Sequence, residues 1–292
     1  MEPKAPTAAN SICPWYRPQI YRPEREGATT MTDLTFVHLS DLHILSSAEE
    51  QFREVRTAEK LRQVFALIRN MEIKPDFFVL SGDLVNDGHK AEYETLNGLL
   101  DELRAFGAPL IIGLGNHDCR AHFRQIVLGQ EPGDEAERYY HSAVLGGLRV
   151  IMLDSKVPGL VQGELDSPQL AWLETELRKP APLGVLIAVH HPPVYSTIEP
   201  LNEHRLLNPQ DLADVIAGHN VHAVLSGHIH YAHIAAFAGT LSITTPATAF
   251  SLDPGITREV SPTDGWGFAL CTLHNGQLYV NPILKYSQTP LP

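Results

Sequence analysis

The stretch Leu34-Thr35-Phe36-Val37-His38-Leu39-Ser40-Asp41-Leu42-His43 joins an apolar run to a carboxylate and an imidazole two residues apart. The run from Leu34 to Leu39 is short, rich in β-formers and nearly continuous. It reads as a strand buried on both faces. The same grammar returns four times. Phe77 to Leu80 leads to Gly82-Asp83, and Leu110 to Ile112 to Gly115-Asn116-His117-Asp118. Val185 to Val189 leads to His190-His191-Pro192, and Val221 to Leu225 to Gly227-His228-Ile229-His230. Carboxylate, amide and imidazole groups are present and thiolates are not, a set that suits hard to borderline divalent metals. Ligands at strand ends are held by a rigid sheet and can converge on one crevice.

Between these runs the pattern is helical. Residues 49–71 place Val55, Ala58, Leu61, Val64, Phe65 and Ile68 at three- and four-residue spacing, and residues 89–106 do the same with Tyr93, Leu96, Leu100 and Leu103. Such alternation predicts β-α-β units and a parallel central region. From residue 138 the pattern changes. Residues 139–145 and 148–153 form a hairpin around Gly146-Gly147, a helix opens at Ser167-Pro168, and another covers residues 209–217. Strands follow at about residues 234–238, 241–245, 268–273 and 277–284. The expected fold class is α/β: two mixed sheets packed face to face with helices outside.

In order and spacing the five patches resemble the calcineurin-like metallophosphoesterases, whose pattern is D-x-H, G-D, G-N-H-D/E, H and G-H-x-H. Every ligand position of that pattern is filled here, from about residue 35 to residue 231. The resemblance implies the four-layered α-β-β-α sandwich of that family. It also implies two divalent metal ions per chain, Mn, Fe, Zn or Co. Asp41, His43, Asp83 and His230 would hold one, and Asp83, Asn116, His190 and His228 the other, with Asp83 shared. Two such ions about 3.5 Å apart make a bridging hydroxide available to attack phosphorus. His117 would be the catalytic residue beside the metals, a proton donor to the leaving group or a contact to the phosphate. Asn116, His117, His191 and His204 are the candidate substrate contacts. Where many relatives carry a carboxylate that orients the G-N-H histidine, this chain has Asn86, whose amide oxygen is expected to take over that support.

Within the family, His38-Leu39-Ser40-Asp41-Leu42-His43, Gly82-Asp83-Leu84 with Glu92-Tyr93, and Val189-His190-His191-Pro192-Pro193 resemble the bacterial cyclic-nucleotide and glycerophosphodiester phosphodiesterases. The implied substrate is a small phosphodiester such as 3′,5′-cAMP or a glycerophosphodiester. The rival readings are a phosphomonoesterase, a nuclease and a non-catalytic metal-binding scaffold. A nuclease needs an extended basic groove, and this chain has 22 Lys plus Arg, no basic run and a net charge of −12. Nucleic acid and membrane are therefore not expected as partners, and self-association into a homo-oligomer stays open. Degenerate scaffolds lose ligands, and all seven positions are filled here.

Three cysteines, Cys13, Cys119 and Cys271, show neither metal nor redox spacing and fit a reducing cytoplasm. Residues 1–30 hold five prolines and no long apolar run, and read as a flexible N-terminal extension before a catalytic domain over residues 31–292.

Overall fold

The computed structural model describes residues 33–286 and 291. The extension expected over residues 1–30, with Cys13, lies outside the described residues. In chain order the elements are β1 (Leu34–Leu39), α1 (Thr57–Asn70), β2 (Phe77–Leu80), α2 (Lys90–Arg104), β3 (Leu110–Ile112) and α3 (Arg120–His122), which runs into a π-helical turn at Phe123–Val127. The hairpin β4 (His141–Leu145) and β5 (Leu148–Met152) follows, then α4 (Ser167–Leu177), β6 (Val185–Ala188), α5 (Pro209–Ile216) and β7 (Val221–Ser226). The chain closes with β8 (His233–Phe237), β9 (Thr240–Thr244), β10 (Ser251–Leu252), β11 (Pro262–Thr263), β12 (Trp266–His274) and β13 (Gln277–Lys285).

These strands build two mixed sheets. One has the order β13-β12-β1-β2-β3, with β1, β2 and β3 parallel and the β12–β13 hairpin antiparallel to β1. The other has the order β4-β5-β6-β7-β9-β8, with β5, β6, β7 and β9 parallel. A side-chain period of two splits each central strand between two cores. Leu34 and Phe36 of β1 face the second sheet with Phe77, Val79, Val150, Met152, Leu186 and Leu225. Val37 and Leu39 face α1 and α2, against Leu61, Val64, Phe65, Tyr93 and Leu96. On the far side Ile151, Ile187 and Val224 pack on Leu173 of α4 and Leu212 of α5. The result is four layers, α-β-β-α. Burial on both faces is why these strands read as unbroken apolar runs, and each buried large apolar side chain stabilises the fold by ~1.5–3 kcal/mol.

His38 is the polar exception between the sheets. Its Nε2 lies 2.8 Å from Ser81 Oγ, and burial pushes its pKa down to about 3, so it is neutral at any ordinary pH. The helix expected from residue 49 begins only at Thr57. Phe52 and Val55 close a tight turn through reciprocal backbone bonds of 2.9 Å, with Arg53 and Glu54 at positive φ, and no helix can pass through that geometry. The pair β10–β11 had no signal in the sequence, because two-residue strands leave no period to read. Among the described residues no helix is long and apolar enough to cross a membrane.

Candidate metal centre

Each patch leaves the carboxyl end of a parallel strand. The first sheet delivers Asp41 and His43 after β1, Asp83 after β2, and Asn116 and His117 after β3. The second delivers His190 after β6, and His228 and His230 after β7. Six of the seven expected ligand positions, Asp41, His43, Asp83, His190, His228 and His230, therefore come together in groups at this end of the two sheets. The loops that carry them are tightly wound. Asp41, His43, Asp83, His228 and His230 have φ of 54°, 45°, 49°, 73° and 59°, a left-handed region that costs a non-glycine residue about 1–2 kcal/mol. Backbone bonds between loops hold them there, Asp41 N to Gly82 O at 3.0 Å and Leu42 N to Asp83 O at 2.8 Å. Strain of this kind gathers at functional sites. Two glycines of the motifs are explained by contact. A Cβ on Gly115 would lie 2.2 Å from Asp83 Oδ1, and one on Gly227 would lie 1.8 Å from Ser40 Oγ.

Asp41, His43 and His230 form one group whose donor atoms are close enough to hold a metal ion; Asp83 and His190 stand with Asp41 in a second such group, and His190 with His191 and His228 in a third. The tautomers follow from the outer partners. His230 Nδ1 donates to Phe250 O at 3.0 Å, and His43 Nδ1 donates to Asn86 Oδ1 at 3.3 Å. Both rings then turn an Nε2 lone pair inward, and these two nitrogens stand only 3.2 Å apart. Two facing lone pairs repel unless a cation lies near both, so this arrangement fits a metal. His190 is anchored through its outer nitrogen in the same way. Its Nδ1 donates to Ser81 O at 3.0 Å, and its Nε2 lies 3.2 Å from Asp83 Oδ2 and 3.2 Å from His228 Nδ1. Asn116 Oδ1 is buried and finds no hydrogen-bond partner among the described residues, a costly state that a metal ion relieves.

Burial holds His43 and His228 well below the usual imidazole range, so both are neutral and ready to ligate. Burial also disfavours a charged His190, but the Asp83 carboxylate outweighs it and raises that ring to about 9. Burial opposes a charged Asp83, yet His190, His117 and His43 together keep its pKa well below the usual value.

The structure changes one expectation. Asn86 does not orient His117 through its amide. His117 Nδ1 donates to the Asn86 backbone carbonyl, while the Asn86 side chain turns to His43 and to Asp87 Oδ2. Both ring nitrogens of His191 lie within hydrogen-bond reach of the chain's own atoms. Its ring is buried, with Nδ1 2.7 Å from Ser155 Oγ and Nε2 3.1 Å from Val161 O, so it pins the loop after β5. His204 is half-buried at the rim, its ring 6.5 Å from that of His228.

Three supports were not read from the sequence. Asp118 accepts from Gly115 N at 2.8 Å, Leu84 N at 3.2 Å and Tyr93 OH at 3.0 Å, tying two ligand loops together; the last residue of G-N-H-D was the available signal. Burial, with Asp83 nearby, raises that carboxyl to about 6. Arg120 and Asp154 form a fully buried bidentate pair at 2.6 and 2.8 Å. Lys156 reaches the Asn116 backbone oxygen at 3.1 Å. The last two join residues more than thirty apart in sequence and carry no motif.

Fold and site together define the class: a four-layered sandwich with metal-type ligand groups on the crest between its sheets. The chain belongs to the calcineurin-like phosphoesterase family, whose description matches residues 34–232. It is 38% identical over 218 residues to a probable cyclic nucleotide phosphodiesterase of Rhodococcus erythropolis, covering 74% of this chain and 71% of that one. It is 34% identical over 222 residues to a cAMP/cGMP dual specificity phosphodiesterase of Mycobacterium tuberculosis, covering 76% and 69%. A purple acid phosphatase from yellow lupin seeds has the same fold, with a TM-score of 0.62 at 15% identity over 86% of this chain and 51% of that one.

Proposed function

We propose that this chain is a metal-dependent hydrolase of small phosphodiesters, with cyclic nucleotides such as 3′,5′-cAMP as its substrates. The reading rests above all on the inward-facing imidazole lone pairs grouped around the Asp41 and Asp83 carboxylates. Asp41, His43, Asp83 and His230 would hold one divalent cation, and Asp83, Asn116, His190 and His228 the other. Mn, Fe, Zn and Co all suit these donors. Two cations bound there would supply Lewis acidity and the means to activate water near neutral pH.

The chain's own residues do the rest. Asn116 contributes a neutral oxygen, which leaves net positive charge for an anionic phosphoryl group. Asp83 stays ionised and fixes the His117 backbone, whose N–H donates to Asp83 Oδ1 at 3.0 Å. With His117 Nδ1 committed to a carbonyl, only Nε2 can give a proton to the leaving oxygen or a hydrogen bond to the phosphate. The free thiols Cys119 and Cys271 suit the cytoplasm as the compartment of this enzyme.

Diesters are favoured over monoesters by the fate of the nearby cations. A monoester dianion calls for cationic clamps beyond the metals. Arg120 is locked to Asp154, Arg124 lies against Glu137, and Arg205 stacks on Tyr195 with its guanidinium carbon 4.2 Å from the ring centre. The test is a panel of 3′,5′- and 2′,3′-cyclic nucleotides, glycerophosphodiesters and a matched pair of aryl mono- and diesters, each with the four metals. Higher kcat/KM on the aryl diester is expected. A clear monoester preference would overturn the diesterase reading and leave the metal ligands untouched.

His117→Ala should lower turnover with metal content intact. The loss should be roughly 10²–10⁴-fold for a poor leaving group and smaller for an activated aryl group, which leaves without a proton. Equal losses on both would assign His117 to phosphate binding instead.

A further inference from the structure

Phe52–Val55 lies beside the Asp41–His43–His230 group as a two-residue turn closed by backbone bonds of 2.9 Å in each direction. Its central residues, Arg53 and Glu54, have φ of 49° and 63°. Asn-Gly and Gly-Gly enter that geometry freely, and long side chains enter it under strain. The rings beneath it are layered. Phe52 lies 5.9 Å from the His43 ring and 5.7 Å from Phe250, and Phe250 lies 4.3 Å from the His230 ring. The Arg53 guanidinium sits on top, 5.5 Å from the Phe52 centroid and 5.8 Å from that of Phe250. Moving outward, the layers are thus ligand imidazole, aromatic ring and guanidinium. Arg53 is exposed, Phe52 half-buried and Phe250 buried. A strained turn that holds a flat cation one ring beyond the ligands is a feature that calls for a use.

We propose, on the phosphodiesterase reading above, that the 52–55 turn is the base-recognition element of the site. The guanidinium plane of Arg53, backed by Phe52 and Phe250, stacks the nucleobase of a nucleotide whose phosphate occupies the ligand groups. Every base has a π face, and bases stack on aromatic rings and on arginine planes. A glycerol-type alcohol has no such face and gains nothing from the turn. Arg53 is thereby a specificity-determining residue.

The probes are 5′-AMP and inorganic phosphate, titrated as competing ligands into the metal-loaded full chain by calorimetry. Base stacking of ~1–3 kcal/mol predicts that AMP binds more tightly than phosphate by roughly 5- to 150-fold. Arg53→Gly should remove most of that ratio and leave phosphate binding unchanged. The KM for 3′,5′-cAMP should rise by a similar factor with kcat within about twofold. Glycine relaxes the backbone at this φ, so the thermal midpoint should hold or rise. Glu54→Gly relaxes the neighbouring residue and keeps the guanidinium, and it should leave the ratio intact. Equal binding of AMP and phosphate by the wild-type chain would overturn the proposal. So would a loss in Arg53→Gly that falls alike on both ligands, which would make Arg53 a reader of charge. Absence of turnover on every diester would count against the hydrolase reading instead, and the AMP-to-phosphate ratio would still decide the stacking.

Discussion

Asp83→Ala is expected to lower turnover by more than about a thousandfold and to strip at least one metal from the chain. Asp83 touches both halves of the site. Its Oδ2 lies 3.2 Å from His190 Nε2 and 3.8 Å from His43 Nε2, so it faces a ring from each half of the site. Its Oδ1 accepts the His117 backbone N–H at 3.0 Å, so the same group sets the loop that carries Asn116 and His117. Asp83→Asn separates these roles. The amide oxygen can still accept that hydrogen bond, whereas the charge is gone, so the fold should persist while metal and rate are lost. Elemental analysis beside kcat on an aryl diester decides the matter. Two metals per chain with near-normal turnover in Asp83→Ala would end the assignment.

The largest effect on stability is expected away from the ligands. Arg120 and Asp154 are 1% and 0% exposed, and the pair closes through two hydrogen bonds of 2.6 and 2.8 Å. Asp154 also accepts from Tyr139 N at 2.7 Å and Lys156 N at 3.0 Å, joining β5, the entry to β4 and the loop after β5. Asp154→Ala leaves a guanidinium buried without its counter-charge, a change that destabilises by about 3–5 kcal/mol. Replacing both partners with apolar residues of similar volume should recover most of the loss, because the penalty is the orphaned charge. Urea unfolding of the two single variants and the double variant measures this. A single-variant loss under about 1 kcal/mol would mean that the pair is solvated in practice. Arg120 also donates to the Lys156 carbonyl at 2.6 Å, so milder variants should show up in how Lys156 meets the Asn116 loop.

Much of this was legible in the residues. Strands buried on both faces announce themselves as apolar runs, and the loops at their ends repeat one grammar, so β1, β2, β3, β6 and β7 and the places of the loops that follow them were legible. The start of α1 was not, because a left-handed turn made of Arg53 and Glu54 lacks the glycine or asparagine that marks such turns. The partner of His117 was misread for a related reason. A side chain at the right spacing suggested itself, but the backbone carbonyl of the same residue is the acceptor, and no sequence distinguishes the two. The hydrogen bonds of His191 left no signal, because its partners, Ser155 and Val161, lie thirty and more residues upstream in a loop with no pattern of its own.

The place of β1 in its sheet also sets a timetable. It pairs on one side with β2 and on the other with β12, the next to last strand. On the ribosome β2 and β3 are at hand almost at once. The second neighbour is written only after the whole of the other sheet has been made. At ~5–20 residues per second the growing chain carries an open strand edge for roughly ten seconds or longer. Until then Asp41 hangs from a strand gripped on one side only. The nascent protein can thus hold every ligand residue and still lack a finished seat for them, and an open edge of this length is where mispairing and chaperone contact concentrate.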